Sequence, residues 1–167
     1  MAAVAASAVM VVAAVAAALV TAPPERDDFR PDVIRWGATT AEMEAALQGK
    51  CAKGYKIRPI NPPFLEDIKD RQLQIDCDGL QFMGAPRWTE FVIGDGRLKM
   101  VWLMVKPEDQ DAVVAAMTKA YGPPSSRNST YIAFAQARAA WRFKPAEILF
   151  YAPELDASTT PDFAAGK

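Results

Sequence analysis

The stretch QIDCDGLQFMG, residues 74–84, decides the fold class because apolar and polar residues alternate on both sides of an Asp-Gly pair. Asp-Gly between such runs is a strong hairpin signal, since both central residues of a type I′ turn need positive φ. The pattern predicts two antiparallel strands that turn at Asp78-Gly79. One face of this hairpin would then carry the apolar residues Leu73, Ile75, Cys77, Leu80 and Phe82.

The N-terminal residues form an apolar run that indicates export. No charged residue occurs between Ala2 and Val20, and the segment TAPPERDDFRPD that follows is polar and contains prolines. This pattern predicts a signal peptide within residues 1–22, although no Lys or Arg precedes the run. The alternative is an uncleaved N-terminal membrane anchor, since about 20 apolar residues can cross a bilayer. Alanine dominates the run and favours cleavage, so we expect a periplasmic or secreted protein.

The two cysteines are too far apart for a redox C-x-x-C motif, and the chain has no histidine. A structural zinc site would therefore need carboxylate ligands, which such sites seldom use, and we expect neither metal nor cofactor. Cys51 and Cys77 form either a disulfide or two unrelated buried thiols, and the compartment decides between them. Export favours the disulfide, which would stabilise the fold by about 3.5 kcal/mol in the loop-entropy model.

Residues 23–155 are predicted to form one α+β domain, followed by an irregular, exposed tail over residues 156–167. The chain has 19 basic and 20 acidic residues and a formal net charge of −1. This balance gives no long-range field that would attract nucleic acid or anionic lipid. Contact with a membrane is expected only through the N-terminal segment, if that segment is retained.

Two helices are predicted from the signals at their ends. The first lies in WGATTAEMEAALQG, where Thr39 and Glu42 match a capping box and Gly49 suits the C-terminal stop. The second lies in KPEDQDAVVAAMTKAYGPP, with Pro107 in its first turn and Gly122-Pro123 at its end. The apolar stripes are Met43, Ala46 and Leu47 in the first helix, and Val113, Met117, Ala120 and Tyr121 in the second.

A second hairpin is predicted in TEFVIGDGRLKMVWLMV, with its turn at Asp95-Gly96. This register pairs Ile93 with Leu98, Val92 with Lys99 and Phe91 with Met100. Residues 52–70 contain three prolines and no clean period, which predicts an ordered loop pinned by Tyr55, Ile60 and Phe64.

The C-terminal part of the domain is predicted to add strands in TYIAFAQA, AAWRF and ILFYA. A hairpin around KPAE would place Trp141 and Phe143 opposite Phe150 and Ile148, whereas residues 135–142 are equally compatible with helix. The predicted fold is therefore an antiparallel sheet built from hairpins and packed by two helices, in the order helix, strands, helix, strands.

WGATTAEMEAALQG resembles the Gly-x-Thr, helix, Gly pattern of small envelope proteins with the beta-lactamase-inhibitor-like fold, which include the outer-membrane assembly small lipoproteins. AAMTKAYGPP looks like a second copy of this pattern. The segments that match cover about a fifth of the chain, and the lipid-attachment cysteine of the lipoproteins is absent. The resemblance implies binding to another envelope protein.

The lack of histidine removes Ser-His and Cys-His nucleophile pairs and the usual general base near neutral pH. The acidic pair Asp76 and Asp78 fits a strand and turn better than a catalytic site. We therefore predict no catalytic residue and expect an exported protein-binding or inhibitor-like module whose partner is an unknown envelope protein. The alternative is a carboxylate-dependent hydrolase of envelope polymers, which would need a cleft with two acidic side chains within about 10 Å.

Three aromatic residues form the candidate partner surface: Trp88, Tyr55 and Phe64. On the predicted register, Trp88 lies on the face opposite Phe91 and Ile93. There it either packs under a helix, which is the favoured interpretation, or forms part of an exposed partner site.

Overall fold

Backbone hydrogen bonds join eight strands into one antiparallel sheet within residues 29–165, the part of the chain that the computed structural model describes. The strands are β1 Tyr55–Ile60, β2 Gln72–Phe82, β3 Ala85–Gly94, β4 Arg97–Met104, β5 Ser126–Arg127, β6 Tyr131–Phe134, β7 Ala139–Arg142 and β8 Glu147–Tyr151. Their order across the sheet is β1-β2-β3-β4-β8-β7-β6-β5. Each half of the sheet is a four-stranded meander, and the two halves meet at β4 and β8.

Helices cover both faces of this sheet. They are α1 Thr40–Leu47, α2 Gln110–Tyr121 and α3 Asp156–Ala165. The α+β class with an antiparallel sheet is thus confirmed, but the order of elements continues to a third helix. The expected irregular tail over residues 156–167 is wrong for the residues described, because 156–165 are helical and Phe163 is only 2 % exposed.

The apolar core lies in two layers, one on each face. On the first face, α1 and α2 pack through Met43, Leu47, Val113 and Met117. On the second face, Phe163 of α3 packs against Tyr131 and Tyr151, with ring centroids 5.2 and 5.6 Å away. Central strands without alternation need cover on both faces, and α3 supplies part of the second cover.

α1 begins at the predicted capping box. The Thr39 hydroxyl accepts a hydrogen bond from the Glu42 backbone N–H at 3.2 Å, and the Glu42 carboxylate accepts one from the Thr39 N–H at 2.7 Å. These bonds satisfy two of the N–H groups that a helix start leaves unpaired. The hydrogen bonds that the Glu42 carboxylate accepts from the Thr39 N–H and hydroxyl also lower the pKa of Glu42.

The predicted turn at Asp78-Gly79 is wrong. β2 runs through both residues, and the chain reverses at Met83-Gly84, where φ is 47° and 74°. Asp78-Gly79 instead forms a bulge at which the pairing with β3 shifts. One extra residue in a strand reverses the face to which all later side chains point, so Leu80 lies on the same face as Cys77. A two-residue turn at Asp78-Gly79 would also place these two side chains on one face. Cys77 and Leu80 therefore still face one core, as predicted.

The predicted turn at Asp95-Gly96 is confirmed, with φ of 49° and 77°. Ile93 pairs with Leu98 as predicted, but a bulge then shifts the register, so that Val92 pairs with Met100 and Phe91 with Val101. The loop before β2 is anchored on this turn, since the Asp95 carboxylate accepts hydrogen bonds from the backbone N–H groups of residues 69–71. These bonds lower the pKa of Asp95.

Two further expectations need correction. Residues 52–70 are not all loop, because 55–60 form the edge strand β1, whose proline suits an edge. In the C-terminal hairpin Trp141 pairs with Ile148, two residues away from the predicted register. Residues 135–137 form a short 3-10 turn and β7 follows, so the helical alternative for 135–142 is wrong.

The predicted disulfide between Cys51 and Cys77 is present, with the two Cα atoms 5.4 Å apart. It joins the segment after α1 to the centre of β2, and thus the helix layer to the sheet. None of α1, α2 and α3 is long and apolar enough to cross a membrane. The predicted signal peptide, residues 1–22, lies outside the described residues.

Candidate functional site

The second face of the sheet is only partly covered by α3 and the loop before β2. The part that they leave uncovered, here called the open face, carries charged and aromatic side chains from five strands. These are Asp76 on β2, Trp88 and Glu90 on β3, Trp102 on β4, Glu147 on β8 and Arg142 on β7. The strand pairing places Asp76 beside Glu90, Glu90 beside Trp102, and Glu147 beside Arg142.

Arg142 connects the aromatic and acidic parts of the open face. Its guanidinium carbon lies 4.5 Å from the ring centroid of Trp102, and one of its terminal nitrogens forms an ion pair with Glu147. A guanidinium over an indole ring gains cation–π attraction and also shields the ion pair from water. Arg142 therefore bridges β4 and β8 at the junction of the two halves of the sheet.

Glu147 is a buried carboxyl whose side chain is 1 % exposed. Its pKa is raised to about 7: burial is the main cause, Arg142 lowers the pKa, and the nearby carboxylate of Glu90 raises it. Desolvation disfavours the charged form, and a second negative charge adds to that effect. Glu147 therefore changes its protonation near neutral pH, which is unusual in a chain without histidine.

Asp76 is held in a fixed position at the other end of the open face. It accepts a hydrogen bond from Arg58 Nε at 2.8 Å and one from Gln74 Nε2 at 2.6 Å. Its carboxylate is thus neutralised by a neighbour on the edge strand and oriented by a neighbour on its own strand. Charge-assisted bonds of this kind fix geometry as well as supplying energy.

Trp88 is the most exposed member of the open face that has a large apolar surface. It is 40 % exposed, and its indole N–H donates to Glu90 Oε1 at 3.2 Å. The favoured interpretation, in which Trp88 packs under a helix, is wrong. Trp88 is instead exposed, as in the alternative interpretation, and its strand β3 lies between β2 and β4.

The other two residues of the predicted partner surface lie elsewhere. Tyr55 is half-buried against the first-face core, and its hydroxyl donates to Glu44 at 3.4 Å. Phe64 is 50 % exposed and lies on the second face, where it lines a cavity beside Trp102. The structure therefore places Phe64 on the same face as Trp88 and separates Tyr55 from both.

A groove of about 330 Å³ adjoins the open face. One wall is the loop segment 64–66, the other is formed by α3, and the floor consists of sheet residues. Its lining residues are Phe64, Leu65, Glu66, Met100, Trp102, Tyr131, Leu149, Ser158, Thr159, Asp162 and Phe163. Trp102 belongs both to this groove and to the open face.

A wider depression of about 1010 Å³ lies on the other side of the molecule, between residues 29–32 and the Met83 turn. Its Lys50 amine and Asp32 carboxylate pair with each other at 3.0 Å. We do not regard it as the site, because its charged groups already have partners: Lys50 pairs with Asp32, and the Arg30 guanidinium carbon lies 5.6 Å from the Trp36 ring centroid.

The chemistry available to these residues is limited. Within residues 29–165 no three acidic or cysteine side chains are grouped closely enough to hold a metal ion. Glu147 and Glu90 differ in environment, as a catalytic acid and base do, but Glu147 is buried beneath its Arg142 partner.

Comparison of the chain with protein-family models, with curated proteins and with solved structures finds no match.

Proposed function

We propose that this protein is an extracytoplasmic binding module that recognises a partner protein through the open face. The observation that carries the proposal is the exposure of Trp88 on the inner strand β3, where its indole N–H donates to the Glu90 carboxylate. Tryptophan and arginine contribute a large share of the energy at protein interfaces. Side chains on a rigid strand also lose little freedom when they bind.

Two further observations support a role outside the cytoplasm. The Cys51–Cys77 disulfide is typical of oxidising compartments, and the N-terminal sequence matches a signal peptide. The resemblance of the two helix segments to small envelope proteins points to the same kind of role. Mass measurement of the mature protein tests this location, since an intact leader together with two alkylatable thiols would contradict it.

A carboxylate-dependent hydrolase is the second candidate, because Glu147 has a pKa near 7 and a second carboxylate, Glu90, close by. Such a pair can divide the roles of acid and base. A substrate would have to displace Arg142 to reach Glu147, whose side chain is 1 % exposed. For this reason we place binding first.

The two candidates differ in how they respond to the loss of one aromatic side chain. Wild-type protein, Trp88→Ala and Ile57→Ala are immobilised and exposed to the extracytoplasmic fraction of the source cells. Ile57 is a matched control, since it is 39 % exposed against 40 % for Trp88 and lies on the first-face side of the edge strand. Proteins retained by the wild type are identified by mass spectrometry and purified. Calorimetry then measures the affinity of the wild type and of each variant for the purified partner.

We expect Trp88→Ala to weaken the purified partner's affinity about 30-fold, as loss of an interface hot spot does, and Ile57→Ala to change it less than three-fold. Equal binding by Trp88→Ala would show that the open face is not the interface. If no partner is retained and the wild type cleaves an envelope polymer, with activity lost in Glu147→Gln, the hydrolase replaces the binding module.

A further inference from the structure

We propose that the groove between loop segment 64–66 and α3 holds an extended segment of the partner protein in which a lysine or arginine adjoins an apolar side chain. This inference rests on the proposed function, because it names the chemistry of the partner. It concerns a part of the second face that is separate from Trp88.

The groove is preformed, because both of its walls are anchored. On the loop side, Gln72 Oε1 accepts hydrogen bonds from the backbone N–H groups of Phe64 and Leu65 at 3.2 and 3.1 Å. On the helix side, Phe163 is inserted between two tyrosines, and its carbonyl accepts a hydrogen bond from Asn128 Nδ2 at 2.5 Å. A site with fixed walls loses little entropy when a ligand enters.

The charge of the groove is negative on both sides. Glu66 lines the loop wall and Asp162 lines the helix wall, whereas no Lys or Arg is among the residues that line the space. Arg142, whose guanidinium lies over the ring of the lining residue Trp102, is already engaged by Glu147. A ligand with a positive group would therefore be attracted, and an anionic ligand would be repelled.

The floor of the groove selects for an apolar neighbour of that cation. Met100, Leu149 and Trp102 provide apolar surface, and an aromatic face also attracts an ammonium or guanidinium group. The volume of about 330 Å³ is at the lower end of the range for small-ligand sites. It suits one or two side chains of an extended segment better than a folded surface.

The probe for a direct test is an acetylated, amidated pentapeptide of sequence Gly-Lys-Phe-Lys-Gly, compared with its Gly-Glu-Phe-Glu-Gly counterpart. Binding is followed by nuclear magnetic resonance, through the indole N–H signal of Trp102, which a Trp102→Phe variant assigns. The test variant is Glu66→Gln with Asp162→Asn. The control variant, Glu108→Gln with Asp111→Asn, removes two negative charges from the exposed start of the α2 region.

We expect the lysine peptide to bind at least ten-fold more tightly than the glutamate peptide. The test variant should weaken lysine-peptide binding about ten-fold, since each exposed charge pair contributes up to a few-fold, and the control variant should change it less than two-fold. Equal binding of the two peptides, or no response to the test variant, overturns the proposal. A shift of the Trp102 signal with a neutral hexasaccharide but with neither peptide overturns it in favour of a carbohydrate site.

The same variants, applied to the partner identified with Trp88→Ala, separate this inference from the proposed function. If Trp88→Ala weakens binding of the partner and Glu66→Gln with Asp162→Asn does not, the proposed binding function is supported and the groove plays no part in it. If neither change affects the partner, both proposals fail.

Discussion

Replacing Glu147 with glutamine is expected to remove most of the pH dependence of stability between pH 5 and pH 7. Burial, supported by the charge of Glu90, raises the pKa of Glu147 to about 7. The chain contains no histidine, so no side chain with an ordinary pKa titrates in this interval. Glutamine has nearly the same shape and cannot ionise, so the substitution removes the titrating proton and keeps the packing.

The sign of the effect follows from where the proton is held more tightly. In the unfolded chain the pKa of Glu147 is near 4.5, whereas in the folded protein it is about 7. Between these values the folded state binds more protons, so the free energy of unfolding falls as pH rises through the interval and levels off above it. The pKa difference corresponds to a fall of roughly 3 kcal/mol. Below pH 4.5 the hydrogen-bonded carboxylates of Glu42, Asp95 and Asp109 have lowered pKa values and reverse the trend.

Urea unfolding at pH 5, 6, 7 and 8, at constant ionic strength, measures this fall directly. Wild-type protein should be most stable near pH 5, and Glu147→Gln should give a nearly flat profile over the same range. Glu90→Gln should move the wild-type fall to lower pH, because it removes the second negative charge. A flat wild-type profile, or an unchanged fall in Glu147→Gln, would refute the assignment of the raised pKa to this residue.

Three other substitutions test the fold. Gly79→Ala should destabilise the protein by at least about 1 kcal/mol more than Gly84→Ala. Both residues have positive φ, but of the two only Gly79 would place the new Cβ against another atom, 2.8 Å from the Ala52 Cβ. Equal urea midpoints for the two variants would contradict the bulge. Cys51→Ser should lower the stability of oxidised protein by about 3.5 kcal/mol in the loop-entropy model, and wild-type protein treated with a reductant should show the same loss. Phe163→Ala should cost about 3 kcal/mol in thermal or urea unfolding, and a change below 0.5 kcal/mol, typical of surface substitutions, would show that α3 does not cover the second face.

The features that sequence predicted well are those encoded by neighbours in the chain. The capping box at Thr39 and Glu42, the stop at Gly49 and the Asp95-Gly96 turn depend on a few consecutive residues, and each is present. The prediction of the Cys51–Cys77 disulfide rests instead on the expected export of the chain to an oxidising compartment, and the disulfide is also present. Local chemistry determines local geometry directly, so these positions needed no knowledge of the rest of the fold.

The misplaced turn at Asp78-Gly79 has a physical cause. A two-residue turn and a one-residue bulge both shift the alternation of faces, so the apolar pattern around residues 73–82 fits either. The choice depends on Met83-Gly84, which also accepts positive φ, and on the close approach of Ala52 to Gly79. The second condition involves a distant segment, and local sequence therefore cannot express it.

The sequence does not predict the third helix, because its segment is weakly helical in isolation. Its segment includes Pro161 and two adjacent threonines, which disfavour a helix interior. Phe163 nevertheless finds a site between Tyr131 and Tyr151, and an ion pair joins Asp156 to Arg138 at 2.7 Å. Tertiary packing thus outweighs propensity here, as it commonly does in short helices.

The charged residues of the open face also depend on tertiary packing and are not predicted from the sequence, although the sequence contains one signal for them. Apolar matching placed Trp141 opposite Phe150, whereas the structure pairs Arg142 with Glu147. Opposite charges that face each other across strands stabilise a register, and a cation beside the carboxyl at the head of the apolar run ILFY favours the burial of that carboxyl. Matching the charges before the apolar residues would have selected the observed register. It would also have identified Glu147 as a buried carboxyl, and so the part of the sheet where a carboxyl has a pKa raised to about 7.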